Sequence, residues 1–120
     1  MDNELRLYAV VRADLVIPTG KLVAQTGHAY LGVLLQCLEE NPDLADAYLR
    51  TKRQTKICVT AKNLKALERV MRECEEAGIV VHLVEDAGLT VFPKPTVTAL
   101  GLGPVSRNQL PPFVRRLQLR

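Results

Sequence analysis

Short continuous apolar runs alternate along this chain with longer stretches of helical period. Leu7-Tyr8-Ala9-Val10-Val11, inside Arg6 to Arg12, has strand length, and its continuity predicts a strand covered on both faces. Asp14 to Gly20 reads as a loop broken by Pro18 and Gly20, with Thr19 placed to cap the next element. From Lys21 to about Glu40, Leu22, Ala29, Val33 and Leu38 recur near helical spacing among other apolar residues. This helix is expected to be buried over most of its circumference, and Asn41-Pro42 stops it. A short helical segment is expected over Asp43 to Thr51, and a strand over Ile57 to Thr60. Asn63 to Ala77 is amphipathic through Leu64, Leu67, Val70, Met71 and Cys74, and Gly78 ends it. Ile79 to Val84 and Thr96 to Leu102 read as strands three and four, Pro104 and Ser106 open a short last helix, and Leu117 to Leu119 closes the chain.

Strands alternating with helices predict an α/β domain with a largely parallel sheet. The dozen Pro- and Gly-rich residues between the last two strands predict an irregular functional loop and at least one antiparallel neighbour. At 120 residues the chain suits one domain, residues 1–120. Apolar residues make up 48 % and Trp is absent, so the core must be aliphatic. About two thirds of the unfolded surface can be buried at this size, and a dimer interface would add to that.

The net charge of +3 permits an anionic partner without demanding one. Cations cluster at Arg50, Lys52, Arg53 and Lys56 and again at Arg115, Arg116 and Arg120, while Glu73, Glu75, Glu76, Glu85 and Asp86 form an acidic region. Cys37, Cys58 and Cys74 are odd in number and widely spaced, and there are two histidines. That argues against a disulfide framework or a zinc site and for reduced thiols in the cytosol. Met1-Asp2-Asn3-Glu4 is unlike a signal peptide, and no apolar run approaches the roughly 20 residues of a membrane helix.

Two constellations carry chemistry. Lys21, Gln25 and His28, with Gly32 beyond, share one face of the first helix and form a polar stripe on an apolar element. Gly20-Lys21 is not a phosphate loop, because Leu15 and Leu22 stand where that motif needs Gly and Ser or Thr. The second constellation, Glu85-Asp86-Ala87-Gly88-Leu89-Thr90, follows strand three, where open α/β sheets place ligands. It also suits an ordinary turn. Thr96 and Thr98 share one face of the fourth strand, alternating with Val97 and Ala99. Ser106 is the only serine and sits in a poor context for a Ser-His-Asp triad.

Three blocks together resemble the type 2 peptidyl-tRNA hydrolases. They are Arg12-Ala13-Asp14-Leu15 with Gly20-Lys21-Leu22-Val23-Ala24-Gln25 and His28-Ala29, then Asp86-Ala87-Gly88 with Thr90, then Thr96 through Pro104. The blocks occur in family order, and the resemblance spans roughly residues 6 to 119. It implies a three-layer α/β/α fold with a four-stranded mixed sheet, often dimeric. It implies metal-independent hydrolysis, without a cofactor, of the ester between a peptide and the 3′-terminal ribose of tRNA. Carried over by position, Lys21, Asp86, Thr90 and Thr98 are the implied catalytic residues. Gln25 and His28 are the implied helpers in substrate binding, and Gly20 and Lys94 are further candidate substrate contacts. Lys21 would stabilise negative charge or bind the terminal phosphate. Asp86 would orient Lys21 or accept a proton from water, and the threonines would hold water or substrate. An open cleft lined by Lys21, Asp86 and Thr98 would favour the enzyme, and Asp86 sealed in a buried pair without a cleft would favour a binding module.

The chain departs from the family pattern near the site. Val16, Thr19, Glu85 and Leu89 stand where basic residues are frequent, and Pro93-Lys94-Pro95 replaces the usual Ala-Pro-Gly. These changes thin the positive field expected at a tRNA end and predict weaker tRNA binding, with Lys52, Arg53, Lys56 and Lys94 available to compensate. The alternatives are a non-catalytic RNA- or protein-binding paralogue on the same scaffold, or a hydrolase of another acyl or peptidyl ester.

Overall fold

The computed structural model describes residues 3–120; Met1 and Asp2, the head of the opening stretch read above, lie outside the described residues. The elements are β1 (Leu5–Arg12), α1 (Thr19–Glu40), α2 (Pro42–Leu49), β2 (Lys56–Ala61), α3 (Leu64–Glu76), β3 (Val81–Asp86), β4 (Thr96–Ser106), a 3-10 turn (Arg107–Gln109) and α4 (Pro112–Arg115). The strands form one sheet in the order β2-β1-β4-β3. β1 and β2 are parallel, whereas β4 runs antiparallel to both β1 and β3. The sheet is mixed, as the family resemblance implies. The largely parallel sheet expected from element order does not form, because β3 and β4 are joined by a loop rather than a crossover helix.

Side-chain alternation in β1 builds the three layers. Tyr8 and Val10 pack with Leu67, Val70 and Cys74 of α3 and Val114 of α4. Ala9 and Val11 pack with Ala29 of α1, and Leu7 packs with Val33 of α1 and Tyr48 of α2. Among the described residues, no helix is long and apolar enough to cross a membrane.

Helix α3 forms as its sequence dictates. The Asn63 side chain accepts the Ala66 N–H at 2.9 Å, and Gly78 takes φ +77° just past the end. Elsewhere the structure corrects the expectations. Thr19 is the first residue of α1 rather than its cap; Pro18 holds that place, with no side-chain cap. Helix α1 is not buried over most of its circumference. Gln25, Ala29, Val33 and Cys37 are buried, while Val23, Leu31, Leu35 and Leu38 are exposed. Strand three runs Val81–Asp86 rather than Ile79 to Val84, and α2 starts at Pro42, its N1 residue. Pro104 opens no helix, since β4 continues to Ser106, but Ser106 caps the 3-10 turn that follows, Arg107–Gln109. Pro104 is tolerated because the β1–β4 register slips there, between the Arg6 and Tyr8 pairs.

The topology gathers chain ends at one edge of the sheet. β1, β2 and β3 all finish there, and β4 begins there, with Asp86 opposite Thr96. The height of α1 over that edge is set at Gly101 of β4. A Cβ on Gly101 would overlap the main-chain carbonyl of Ala29, so helix and strand meet there without an intervening side chain. Gly101→Ala is predicted to destabilise the fold by about 1–3 kcal/mol, the usual cost of overpacking against main chain that cannot yield. Chemical denaturation would measure it, and an unchanged midpoint would refute the close seat.

Candidate active site

The first turn of α1 and the loop after β3 meet at this edge. Lys21 Nζ lies 2.5 Å from Asp86 Oδ1 and donates a hydrogen bond to Thr90 Oγ1 at 3.0 Å. Asp86 Oδ2 accepts the Gly88 N–H at 2.9 Å, a side-chain-closed turn of the kind Asp favours. Gly88, at φ +82°, lies so close to the main chain of Lys94 that a Cβ would overlap it. That packing folds the 87–95 loop back and brings Thr90 over Lys21. Asp86 is buried at 7 % exposure, and the Lys21 side chain is 21 % exposed. The Lys21 hydrogen bond, then the Gly88 N–H, hold the Asp86 carboxyl below its ordinary value, so it is ionised at neutral pH.

One helical turn beyond Lys21, buried Gln25 accepts a hydrogen bond through Oε1 from Thr98 Oγ1 at 2.7 Å. Thr98 reaches Gln25 through a bulge. Glu85 pairs with Val97 and Val84 with Ala99, which leaves Thr98 without a partner in β3. Val97 packs with the α3 cluster but Ala99 with the α1 cluster, so Thr98 and Ala99 both face α1. Bulges of this kind re-aim a side chain beside a site. The Thr98 bond also fixes the Gln25 amide with its oxygen inward. Among the described hydrogen bonds, the Gln25 NH2 group has no protein acceptor.

The other predicted residues lie at different distances from this cluster. Gly20 is exposed beside Lys21, with nothing within 4 Å of where a Cβ would sit, so a substrate can approach the main chain there. Lys94 is exposed on the folded-back loop, and its carbonyl accepts from Thr96 Oγ1 at 2.9 Å. His28 is exposed and lines a separate depression with His82, between α1 and β3. Thr98 and Asp86 lie beneath the surface, Lys21 and Thr90 lie over Asp86, and none of the described cavities is lined by these residues. The cluster is an open rim. Among the described residues, no group of three or more His, Cys, Asp or Glu converges to hold a metal ion.

The Arg50–Lys56 cations do not stand near the site. Arg50, Lys52 and Arg53 precede β2 and Lys56 begins it, whereas the other end of that strand reaches the edge with the Lys21–Asp86 cluster, so Lys52, Arg53 and Lys56 are not positioned to make up the missing charge there. Arg50 pairs with Asp46 at 2.7 Å, and Lys56 lies 5.7 Å from the centre of the Tyr48 ring. Two features escaped the sequence reading. Arg12 donates to the Val97 carbonyl at 3.0 Å and pairs with Asp14 at 2.8 Å, tying β1 to the start of β4. Lys62, Lys65, Arg69 and Arg72 form a cationic stripe along α3, and their spacing of three, four and three residues was the signal.

The fold and cluster define a three-layer α/β protein with a lysine–carboxylate–hydroxyl site at one sheet edge. The family described as peptidyl-tRNA hydrolase PTH2 matches residues 5–120, and the chain belongs to it. It is 30 % identical to a peptidyl-tRNA hydrolase of Methanocaldococcus jannaschii, covering 96 % of this chain and 99 % of that one. Identity is 32 % to one from Thermococcus onnurineus, over 92 % of each chain. It is 37 % to one from Methanopyrus kandleri, over 84 % of this chain and 85 % of that protein.

Lys21→Met should raise the Asp86 titration midpoint toward the ordinary carboxyl range, as read by carbon NMR. Because the folded-state value is depressed, its contribution to stability is complete above the unfolded value of about 3.9 and is lost as pH falls through the lowered one. An Asp86 midpoint indifferent to Lys21 would dismiss the pairing.

Proposed function

We propose that this protein hydrolyses peptidyl-tRNA, and that the Lys21–Asp86–Thr90 cluster with the adjoining Gln25–Thr98 pair does the chemistry. The observation that carries the reading is the Lys21 ammonium held between a buried carboxylate and a hydroxyl in a chain of this family. In the reaction, water adds to the ester carbonyl, the bond to the ribose oxygen breaks, and that oxygen takes a proton. Lys21 supplies positive charge to the oxyanion and a proton to the leaving oxygen; the proton lost by the attacking water passes to solvent at the open rim, and solvent returns one to Lys21. The outward Gln25 NH2 group is a second donor to the oxyanion. Thr90 accepts from Lys21, which leaves its own O–H free to hold water or a ribose hydroxyl.

The two roles open to Asp86 are not equally suited to its environment. A general base works best with a pKa near the working pH, and Asp86 is held below the carboxylate range. It is the group that orients Lys21. Gly20 and Lys94 are placed to receive the 3′ end of the substrate, and His28, on its separate depression, to touch the peptide or a neighbouring surface.

The direct test is release of labelled peptide from peptidyl-tRNA, with free aminoacyl-tRNA as control. Lys21→Ala should lower kcat by about 10²–10³, the effect of losing one oxyanion donor, with an unchanged fold by circular dichroism. Wild-type-like turnover in that variant would remove Lys21 from the mechanism. With Asp86 as orienting group, kcat/KM should show no Asp86 inflection between pH 5 and 8, because the carboxyl stays ionised throughout.

The proposal extends to a cytosolic protein, consistent with three unpaired thiols, and to a homodimer formed through the outer face of α1. Leu31 and Leu35 are 59 % and 53 % exposed there, beside exposed Leu38, a row of apolar side chains that a second copy would cover. Leu31→Glu with Leu35→Glu should convert a sedimenting dimer to monomer. Wild-type protein that stays monomeric at high concentration would rule the interface out.

A further inference from the structure

The most voluminous of the described cavities lies away from the catalytic cluster, in the layer on the opposite face of the sheet. It is a groove of about 730 Å³ between α3 and the C-terminal segment. Five of its lining side chains are cations, Lys62, Lys65, Arg69, Arg72 and Arg116, and none is a carboxylate. Its floor is apolar at Ala66, Phe113 and Leu117. Arg69 stacks on the Phe113 ring, 3.8 Å from its centre, and also pairs with Glu73 at 2.6 Å. Lys62, Lys65 and Arg72 are exposed, with no carboxylate partner among the described ion pairs.

The groove is aligned with the catalytic edge. Lys62 follows Ala61, the last residue of β2, and Ala61 accepts the Ala13 N–H at 2.8 Å. Ala13 itself lines the groove, and its neighbour Arg12 donates to Val97, next to Thr98. From Lys65 to Arg72 the stripe runs down α3 away from that edge, over about 10 Å at 1.5 Å per residue. One end of a long anion can therefore enter the Lys21 site while its body follows the stripe.

We propose that this groove seats the sugar-phosphate backbone of the substrate RNA: Lys62, Lys65, Arg72 and Arg116 contact phosphates, and the Arg69-backed apolar floor receives ribose or a base. The proposal rests on the hydrolase reading and deepens it. Lys62, Lys65, Arg72 and Arg116, unpaired among the described ion pairs, fit a polyanion, and the run away from the catalytic edge fits an RNA that presents its 3′ end there. The surface also supplies the positive charge that Val16, Thr19, Glu85 and Leu89 do not bring to the catalytic rim.

The test compares Lys62→Ala/Lys65→Ala/Arg72→Ala with a charge-matched control, Lys52→Ala/Arg53→Ala/Lys56→Ala, at the opposite edge of the sheet. Both sets change exposed side chains, and Arg69 is kept to preserve its stack and ion pair. The groove variant should raise KM for full-length peptidyl-tRNA at least tenfold with kcat held. It should cleave a peptidyl ester of the CCA trinucleotide as wild type does. Its affinity for deacylated tRNA should fall, and the slope of log affinity against log salt should shrink by about 2–3, at roughly 0.7–0.9 per lost phosphate contact. The control should match wild type in every readout. Equal losses in both variants, or a salt slope and KM unmoved in the groove variant, would overturn the proposal; an acidic protein partner for the groove would give the latter result. Wild-type protein inactive on both esters would remove the hydrolase reading, while the tRNA-binding arm would still decide the groove.

Discussion

Helix α1 rests on strand β4 at Gly101, main chain against main chain, and the Lys21–Asp86 and Gln25–Thr98 pairs take their position from that contact. The Ala29 carbonyl occupies the space a Cβ would need. Residues one and two turns earlier, Gln25 and Lys21, are thereby held over Thr98 and Asp86. The bulge in β4 is the complementary constraint. Without it Thr98 would share the face of Leu100 and Leu102, which pack toward α3, and Gln25 would have no partner. A rigid seat and a local irregularity together make a site from residues 73 positions apart in the chain.

The electrostatics of the rim follow from burial that is partial and unequal. Asp86 lies beneath Lys21, with both carboxylate oxygens engaged, one by the ammonium and one by the Gly88 N–H. A carboxylate so occupied is a weak base and a good anchor. Lys21 keeps its charge near the surface, where a substrate oxygen can compete with Thr90 for its protons. The rim presents a positioned cation and amide at an open surface. An open rim is what the end of a macromolecule requires, since the rest of that molecule must lie outside.

Much of this was legible in the sequence, and the failures have physical causes. The α3 boundaries were readable because Asn63 and Gly78 are strong local signals, and the meeting of Lys21 with Asp86 and Thr90 was readable from the family blocks. The end of β4 was misread at Pro104, because a proline is tolerated at a register slip that no local pattern announces. The exposure of α1 was misread because Leu31, Leu35 and Leu38 have the character of core residues, and periodicity does not say which apolar face meets the sheet. The bulge at Thr98 was invisible for a related reason: alternation reads two faces correctly only while the register holds. The depth of each group at the rim was not legible, because a list of site residues does not specify which side chain covers which.

The distribution of charge then separates two tasks that one pocket often combines. Around Lys21 the nearby cations are exposed Lys94 on the folded-back loop and Arg12, which is already paired with Asp14, so a polyanion gains more from the unpaired cations of the α3 stripe. Phosphate contacts act at a distance from the bond that breaks, and they bind ground state and transition state alike. Placing them on α3 raises substrate affinity without pressing a second positive charge on Lys21, which would compete for Asp86 and loosen the orientation on which proton delivery depends. Uniform binding belongs to KM, and charge placed only at the reacting oxygen belongs to kcat. The two faces of this sheet divide the work along that line, joined through Arg12 and Ala13 at the end of β1.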